Sequence, residues 1–296
     1  MRIQEGIELK NFCTFKIGGQ AKFLINWENT DEIEEILEFA RNKNLPIFVF
    51  GGGSNLLFDD GNWDAIFIRC ATKEIKFDEK TQLLEADAGV RWPILAKFCS
   101  DNQLFGLEAF WGLPGTVGGA LYGNAGCHGC EMKDVVSLYE TFDLKSGKKE
   151  QLELNKSDFS YRHSVLQEPA NSKKIITRCW FKVSKDPKLS FGNAQEFAEF
   201  RNTKQPKGLT TGSFFKNPKG HFAGQLLEEA GLKGFCLGEI CFSDKHANFM
   251  INKGEATATD VKKLTEFAKE KVFINCGVKL EPEVRIITKD KLIDIL

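Results

Sequence analysis

The clearest hydrophobic period near the start of the chain runs through NTDEIEEILEFARNKN, where Ile33, Ile36, Leu37 and Ala40 fall at i, i+3, i+4 and i+7. That spacing predicts an amphipathic helix, with Asn29 or Thr30 placed to cap it. It gives way to LPIFVF, an unbroken apolar run suited to a buried strand, and then to Gly51-Gly52-Gly53-Ser54-Asn55. Further on LLEADAGV alternates as a strand does, and Pro93 marks the start of a helix through Ile94, Leu95 and Phe98. VVSLYETFDL and KIITRCWFKV predict two more strands around a polar stretch. Beyond KDPKLS the pattern turns helical in NAQEFAEFRNTK, in HFAGQLLEEAG with Gly231 as a C-cap candidate, and in TDVKKLTEFAKEKV, before a last strand VRII. Strands dominate the middle and helices the end, so the fold class expected is α+β, with a boundary near residue 185 marked by this shift and by Pro187.

A chain of 296 residues, 42% hydrophobic and 27% charged, suits two or three compact units. Forty Lys and Arg against 41 Asp and Glu leave no basic excess, so nothing points to nucleic acid or an anionic membrane. No apolar stretch reaches the roughly 18 residues of a membrane helix, and MRIQEGIELK has no secretory hydrophobic block, so a cytoplasmic protein is expected. The nine Cys, mostly within apolar runs, are expected to be reduced and buried. Cys127 and Cys130 in CHGC are spaced as in a redox or zinc site, although no second such pair completes a metal set.

Glycine changes the picture. Eight fall between Gly106 and Gly129, where the chain average predicts about two. In GGGSN, successive glycines can turn backbone N–H groups toward one point, and Ser54 and Asn55 add donors, so the segment reads either as a diphosphate cradle or as a tight turn. Neither GxGxxG nor GxxxxGK[ST] occurs, which disfavours a Rossmann or P-loop site. GLPGTVGGALYGNAG reads as a long loop whose Leu113, Val117, Leu121 and Tyr122 are too apolar for a solvated linker, hence as a loop laid against a flat ligand. Taken singly, YRHS, TTGSFFKNP and EPEVR look like turns and surface charges.

Taken in order they carry a resemblance. NFCTFKIGG, GGGSNLL, GLPGTVGGALYGNAG, YRHS, GSFFKNP, AGQLLEEAGLKG, KHANFMIN and LEPEVR, spread from about residue 11 to residue 287, resemble the UDP-N-acetylenolpyruvoylglucosamine reductases of peptidoglycan precursor synthesis. The resemblance implies two FAD-binding subdomains of the vanillyl-alcohol oxidase type, at 1–70 and 71–185, and a substrate domain at 186–296. It implies that FAD lies against Gly51, Gly52, Gly53, Ser54, Asn55 and Leu56, and against Leu113, Pro114, Gly115, Thr116, Gly118, Gly119, Asn124, Ala125 and Gly126, with Arg201 and Arg285 nearby. NADPH is the implied co-substrate and the enolpyruvyl ether of UDP-N-acetylglucosamine the substrate, with hydride added to its methylene carbon and a proton to the carbon beside it.

By the same resemblance Ser213 is the proton donor, Arg162 and Glu283 stabilise the enolate, and Lys216, Asn217, Lys233 and His246 contact the sugar nucleotide. His246 reads equally as a solvated loop residue. Only 51 residues separate Arg162 from Ser213, and no Tyr follows Tyr161, so the chain resembles the shorter branch of the family, without a tyrosine lid. The competing readings are a flavin oxidase of the same cofactor fold and a nucleotide-sugar binder without chemistry. A serine hydrolase fails because GSFF is not GxSxG.

Overall fold

The computed structural model describes residues 1–295. The first sheet orders its strands Arg2–Glu8, Gln20–Trp27, Asn62–Cys70 and Ile47–Phe50, antiparallel at the first pair and parallel at the other two. Helix Ile33–Lys43 packs on it through Ile33, Ile36, Leu37 and Ala40, the four residues picked out by the helical period. Asn29 opens the turn before it, accepting a hydrogen bond from the Asp31 amide within a capping box closed by Glu32.

A second, five-stranded antiparallel sheet runs Lys149–Glu153, Val136–Asp143, Lys174–Lys182, Leu83–Asp87, Ile75–Asp78. Helix Trp92–Asp101, with Pro near its first turn as expected, belongs to the core beneath it. The last third forms a small antiparallel sheet, Cys236–Leu237, Ile240–Phe242 and Met250–Asn252, with helices Ala223–Glu229 and Ala258–Cys276.

Apolar burial joins this last unit to the first sheet. Phe214, Leu227 and Val261 share one buried cluster with Phe58, Trp63 and Phe67. Strand Arg285–Ile287 pairs in parallel with Leu56–Phe58, and Ile293 exchanges two backbone hydrogen bonds with Ile47 at the edge of the first sheet. Asp60 adds a polar tie: its carboxylate accepts from the amides of Ala258 and Thr259 and from the Thr259 hydroxyl, each at 2.9 Å, at the start of the 19-residue helix Ala258–Cys276. Negative charge is favoured there by the unpaired amides of a helix N-terminus. Replacing Asp60 by Ala is expected to cost about 1–2 kcal/mol, read as a lower urea midpoint at unchanged slope.

Two expectations need correction. Residues Val117–Tyr122 of the glycine-rich segment form a short helix, not a loop, and Val117 and Leu121 are buried in the protein core instead of facing a flat ligand. Glycine is tolerated there because the helix passes close to the second sheet, where a Cβ on Gly118 would come within 2.8 Å of Ala88 Cβ. The cysteines are not all reduced: Cys236 and Cys241 form a disulfide, and Cys236 is exposed. They face each other in antiparallel register one pair back from a two-residue turn, with Cα atoms 4.0 Å apart. Cys127 and Cys130 also pair across a two-residue turn, but directly beside it, and both remain free thiols.

Candidate active site

Three segments far apart in sequence converge. The first is the hairpin of Phe159–Ser160 and His163–Ser164, whose tip is Tyr161-Arg162. Arg162 takes a left-handed conformation, φ 56°, which turns its side chain back into the protein. There it donates from Nη2 to the Gly126 carbonyl at 3.2 Å, and Nε lies 2.7 Å from Glu283 Oε1. Nε is buried without an aligned acceptor, so the approach is close but not a directional hydrogen bond.

The second and third segments pair with each other. Glu283 N donates to Phe214 O, Lys216 N donates to Glu281 O, and Phe215 bridges Pro282. On its other side the Ser213 segment is held by KHANF: Ser213 bridges Phe249, and Phe214 N donates to Asn248 O. Asn248, buried, closes the arrangement by accepting from Phe215 N and donating to Phe215 O. Its carboxamide does the work of a neighbouring strand, a role that no motif in the sequence announces. Ser213 and Glu283 therefore lie on adjoining segments of one ladder, and the Ser213 hydroxyl makes no hydrogen bond to another described residue.

Burial raises the Glu283 carboxyl above its ordinary value, while the charges of Arg162 and then Lys216 pull it back part of the way. Such a group keeps its proton more readily than a surface glutamate. Lys216 Nζ pairs with Glu281 Oε1 at 2.5 Å. Asn217 Oδ1 accepts from Ala223 N, so its side chain fixes the start of helix Ala223–Glu229, and its own amide donates to the Tyr161 hydroxyl. Lys233 is paired with Glu228 at 2.7 Å. His246 packs against Gly224 and accepts from Asn248 N at Nδ1; burial, opposed by a hydrogen bond to its own backbone and helped by the Lys233 charge, lowers its pKa, so it takes up a proton less readily than a free imidazole. Lys233 and His246 make no hydrogen bond or ion pair with Arg162 or Glu283.

The glycine segments flank this centre. No amide from Gly51 to Asn55 donates to another described residue, although the loop is tightly packed: Gly53, φ 65°, would place a Cβ 2.1 Å from Phe12 O, and one on Gly52 would come 2.9 Å from Gly115 Cα. Gly115 and Thr116 likewise leave their amides free, while Thr116 Oγ1 caps the Gly119 amide. Five clustered free amides beside a second glycine turn suit a diphosphate group. Arg201, on helix Ala194–Lys204, lies against Gly112 with Nε buried and unpartnered. Arg285 sits 4.4 Å over the Tyr122 ring. Leu56, Leu113 and Ala125 pack into the protein cores, and the buried Asn124 spends its amide on Glu131, Ser160 and Lys133. Pro114 is exposed.

The arrangement matches a known set of proteins. A model for an FAD binding domain matches residues 21–152, and one for the C-terminal domain of UDP-N-acetylenolpyruvoylglucosamine reductase matches residues 205–287. The reductase of Caldicellulosiruptor saccharolyticus is 40% identical over 285 residues, covering 94% of this chain and 90% of its own, and that of Clostridioides difficile is 33% identical over 290, covering 95% and 92%. The chain belongs to the UDP-N-acetylenolpyruvoylglucosamine reductase family. The crystal structure of the Thermus caldophilus reductase superposes with a TM-score of 0.79 at 32% identity, covering 97% of this chain and 100% of that one. As a reductase of this family the protein is an FAD-dependent oxidoreductase, and the free amides at residues 51–55 and the buried Arg201 Nε, open to an acceptor, fit that cofactor. Among the described residues, no helix is long and apolar enough to cross a membrane, and no cluster of three or more His, Cys, Asp or Glu side chains could hold a metal.

Proposed function

We propose that the protein reduces the enolpyruvyl ether of UDP-N-acetylglucosamine to the lactyl ether, UDP-N-acetylmuramate, with electrons from NADPH. The observation that carries this is the Arg162–Glu283 pair, 2.7 Å apart, on a ladder shared with Ser213 and beside the free amides of residues 51–55. FAD, when bound, supplies the two-electron chemistry: hydride taken from NADPH and delivered to the methylene carbon of the substrate.

The protein's own groups manage the rest. Hydride addition leaves the neighbouring carbon as an enolate spread over the substrate carboxylate. Arg162 meets that charge with a guanidinium already ordered by the Gly126 carbonyl and by Glu283. Glu283, whose carboxyl burial raises above its ordinary value, donates a hydrogen bond to the same oxygens in its acid form. The Ser213 hydroxyl then gives its proton to the carbon; it makes no hydrogen bond to another described residue, and its backbone is held by the bridge to Phe249 and by the pairing of the following Phe214 with Glu283. Hydride to one carbon and proton to the next account for both hydrogens of the product. Lys216 and Lys233 offer point charges to the nucleotide diphosphate.

Anaerobic titration tests the reading as a whole. NADPH is expected to bleach the yellow protein, and the enolpyruvyl sugar nucleotide to restore the colour with one product formed per flavin. A reduced protein that recovers its colour only with oxygen would overturn the proposal.

A further inference from the structure

Asn55 closes the GGGSN loop, yet its bonds run away from that loop. Its side-chain Nδ2 donates to the carbonyl of Glu283 at 3.2 Å, and its own carbonyl accepts from Arg285 N at 3.1 Å. One residue thus brackets Val284, taking one backbone group before it and one after it, across 228 positions of sequence. The next residues continue the grip, since Leu56–Phe58 and Arg285–Ile287 pair in parallel with Leu56 opposite Arg285. The Asn55 amide is meanwhile one of the five in the loop that engage no described acceptor.

We infer that Asn55 is a positioning residue that couples occupation of the diphosphate cradle to the placement of Glu283. An anion drawing in the amides of residues 51–55 orders the Asn55 backbone, and through its carboxamide and carbonyl the segment carrying Glu283. Without that grip the Glu283 segment keeps its bond to Phe214 on the other side, so the chain stays folded but Glu283 meets Arg162 less often. The inference rests on the function proposed above for the role of Glu283, but the coupling itself is measurable without turnover.

The test is hydrogen–deuterium exchange over residues 281–287 in protein with and without FAD, for the natural chain and for Asn55→Ala, which keeps every backbone amide of the loop. FAD is expected to slow exchange in this segment at least about tenfold in the natural chain and by less than about twofold in Asn55→Ala, a difference that a simple loss of stability would not confine to one segment. In FAD-loaded Asn55→Ala, reoxidation by the sugar nucleotide should slow at least about tenfold more than bleaching by NADPH does, at little changed KM. Equal FAD protection in both chains, or equal slowing of both half-reactions, would overturn the coupling. Failure of the natural protein to turn over would count against the proposed function and leave the exchange result to decide this one.

Discussion

Ser213→Ala is expected to leave the reduction of the protein by NADPH intact and to slow its reoxidation by the enolpyruvyl sugar nucleotide by at least about 10²-fold, the usual worth of a positioned proton donor. The prediction divides the two half-reactions because the hydroxyl serves only the second, in which a carbanion must be quenched. Structure supports a clean substitution. Ser213 is held by backbone pairing to Phe249 and by the clamp of Asn248 on the residues that follow, none of which needs its side chain. Loss of one half-buried hydroxyl without hydrogen-bond partners should therefore leave the fold unchanged. Stopped-flow absorbance of the flavin measures each half separately. Equal slowing of both would remove Ser213 from the role of donor.

Arg162→Ala should slow the same half-reaction by about 10²–10³-fold, the loss seen when one preorganised charge or donor is removed from a developing anion. It also carries a pH signature. Burial holds the Glu283 proton above the carboxyl's ordinary value of 4.5, and Arg162 is the main influence pulling it down. In the natural protein the rate should fall as pH rises through that raised value, because the ionised carboxylate no longer donates to the substrate. Folding follows the same sign: the stability this proton confers is fully present below 4.5 and is lost as pH climbs through the folded value. Removing the guanidinium takes away the downward pull, so in Arg162→Ala the falling limb should move to higher pH. Single-turnover rates across pH, with the protein anaerobically prereduced, decide it; a limb that moves down, or stays, would contradict the assignment of Glu283 as the titrating acid.

Local signals told the most about this chain. The helix Ile33–Lys43 was legible because both its period and its cap lie within about fifteen residues. The strand Ile47–Phe50 was legible because it is buried and bounded by Pro46 and Gly51. The helix Val117–Tyr122 was hidden because Gly118 and Gly119 lower helix propensity, and only its approach to Ala88 shows why glycine is needed. The disulfide was hidden because its pairing depends on the register of a hairpin and not on a spacing motif. At the active site, the residues that match family motifs could be named, but the links between them could not. The Arg162–Glu283 pair spans 121 positions, and Asn248 acts through a carboxamide that looks like any other asparagine. Such links belong to topology, which short-range patterns do not encode.

The return of residues 285–287 to Leu56–Phe58, and of Ile293 to the edge of the first sheet, has a consequence for how the protein is made. Leu56–Phe58 and the edge strand Ile47–Phe50 acquire these hydrogen-bonded partners only once residues 285–293 have been made. Until then Leu56, Leu57 and Phe58, and the loop of free amides just before them, wait on an incomplete nascent chain. Flavin capture should therefore follow the synthesis of residues 285–293, and a chain cut after residue 284 should be colourless and prone to self-association.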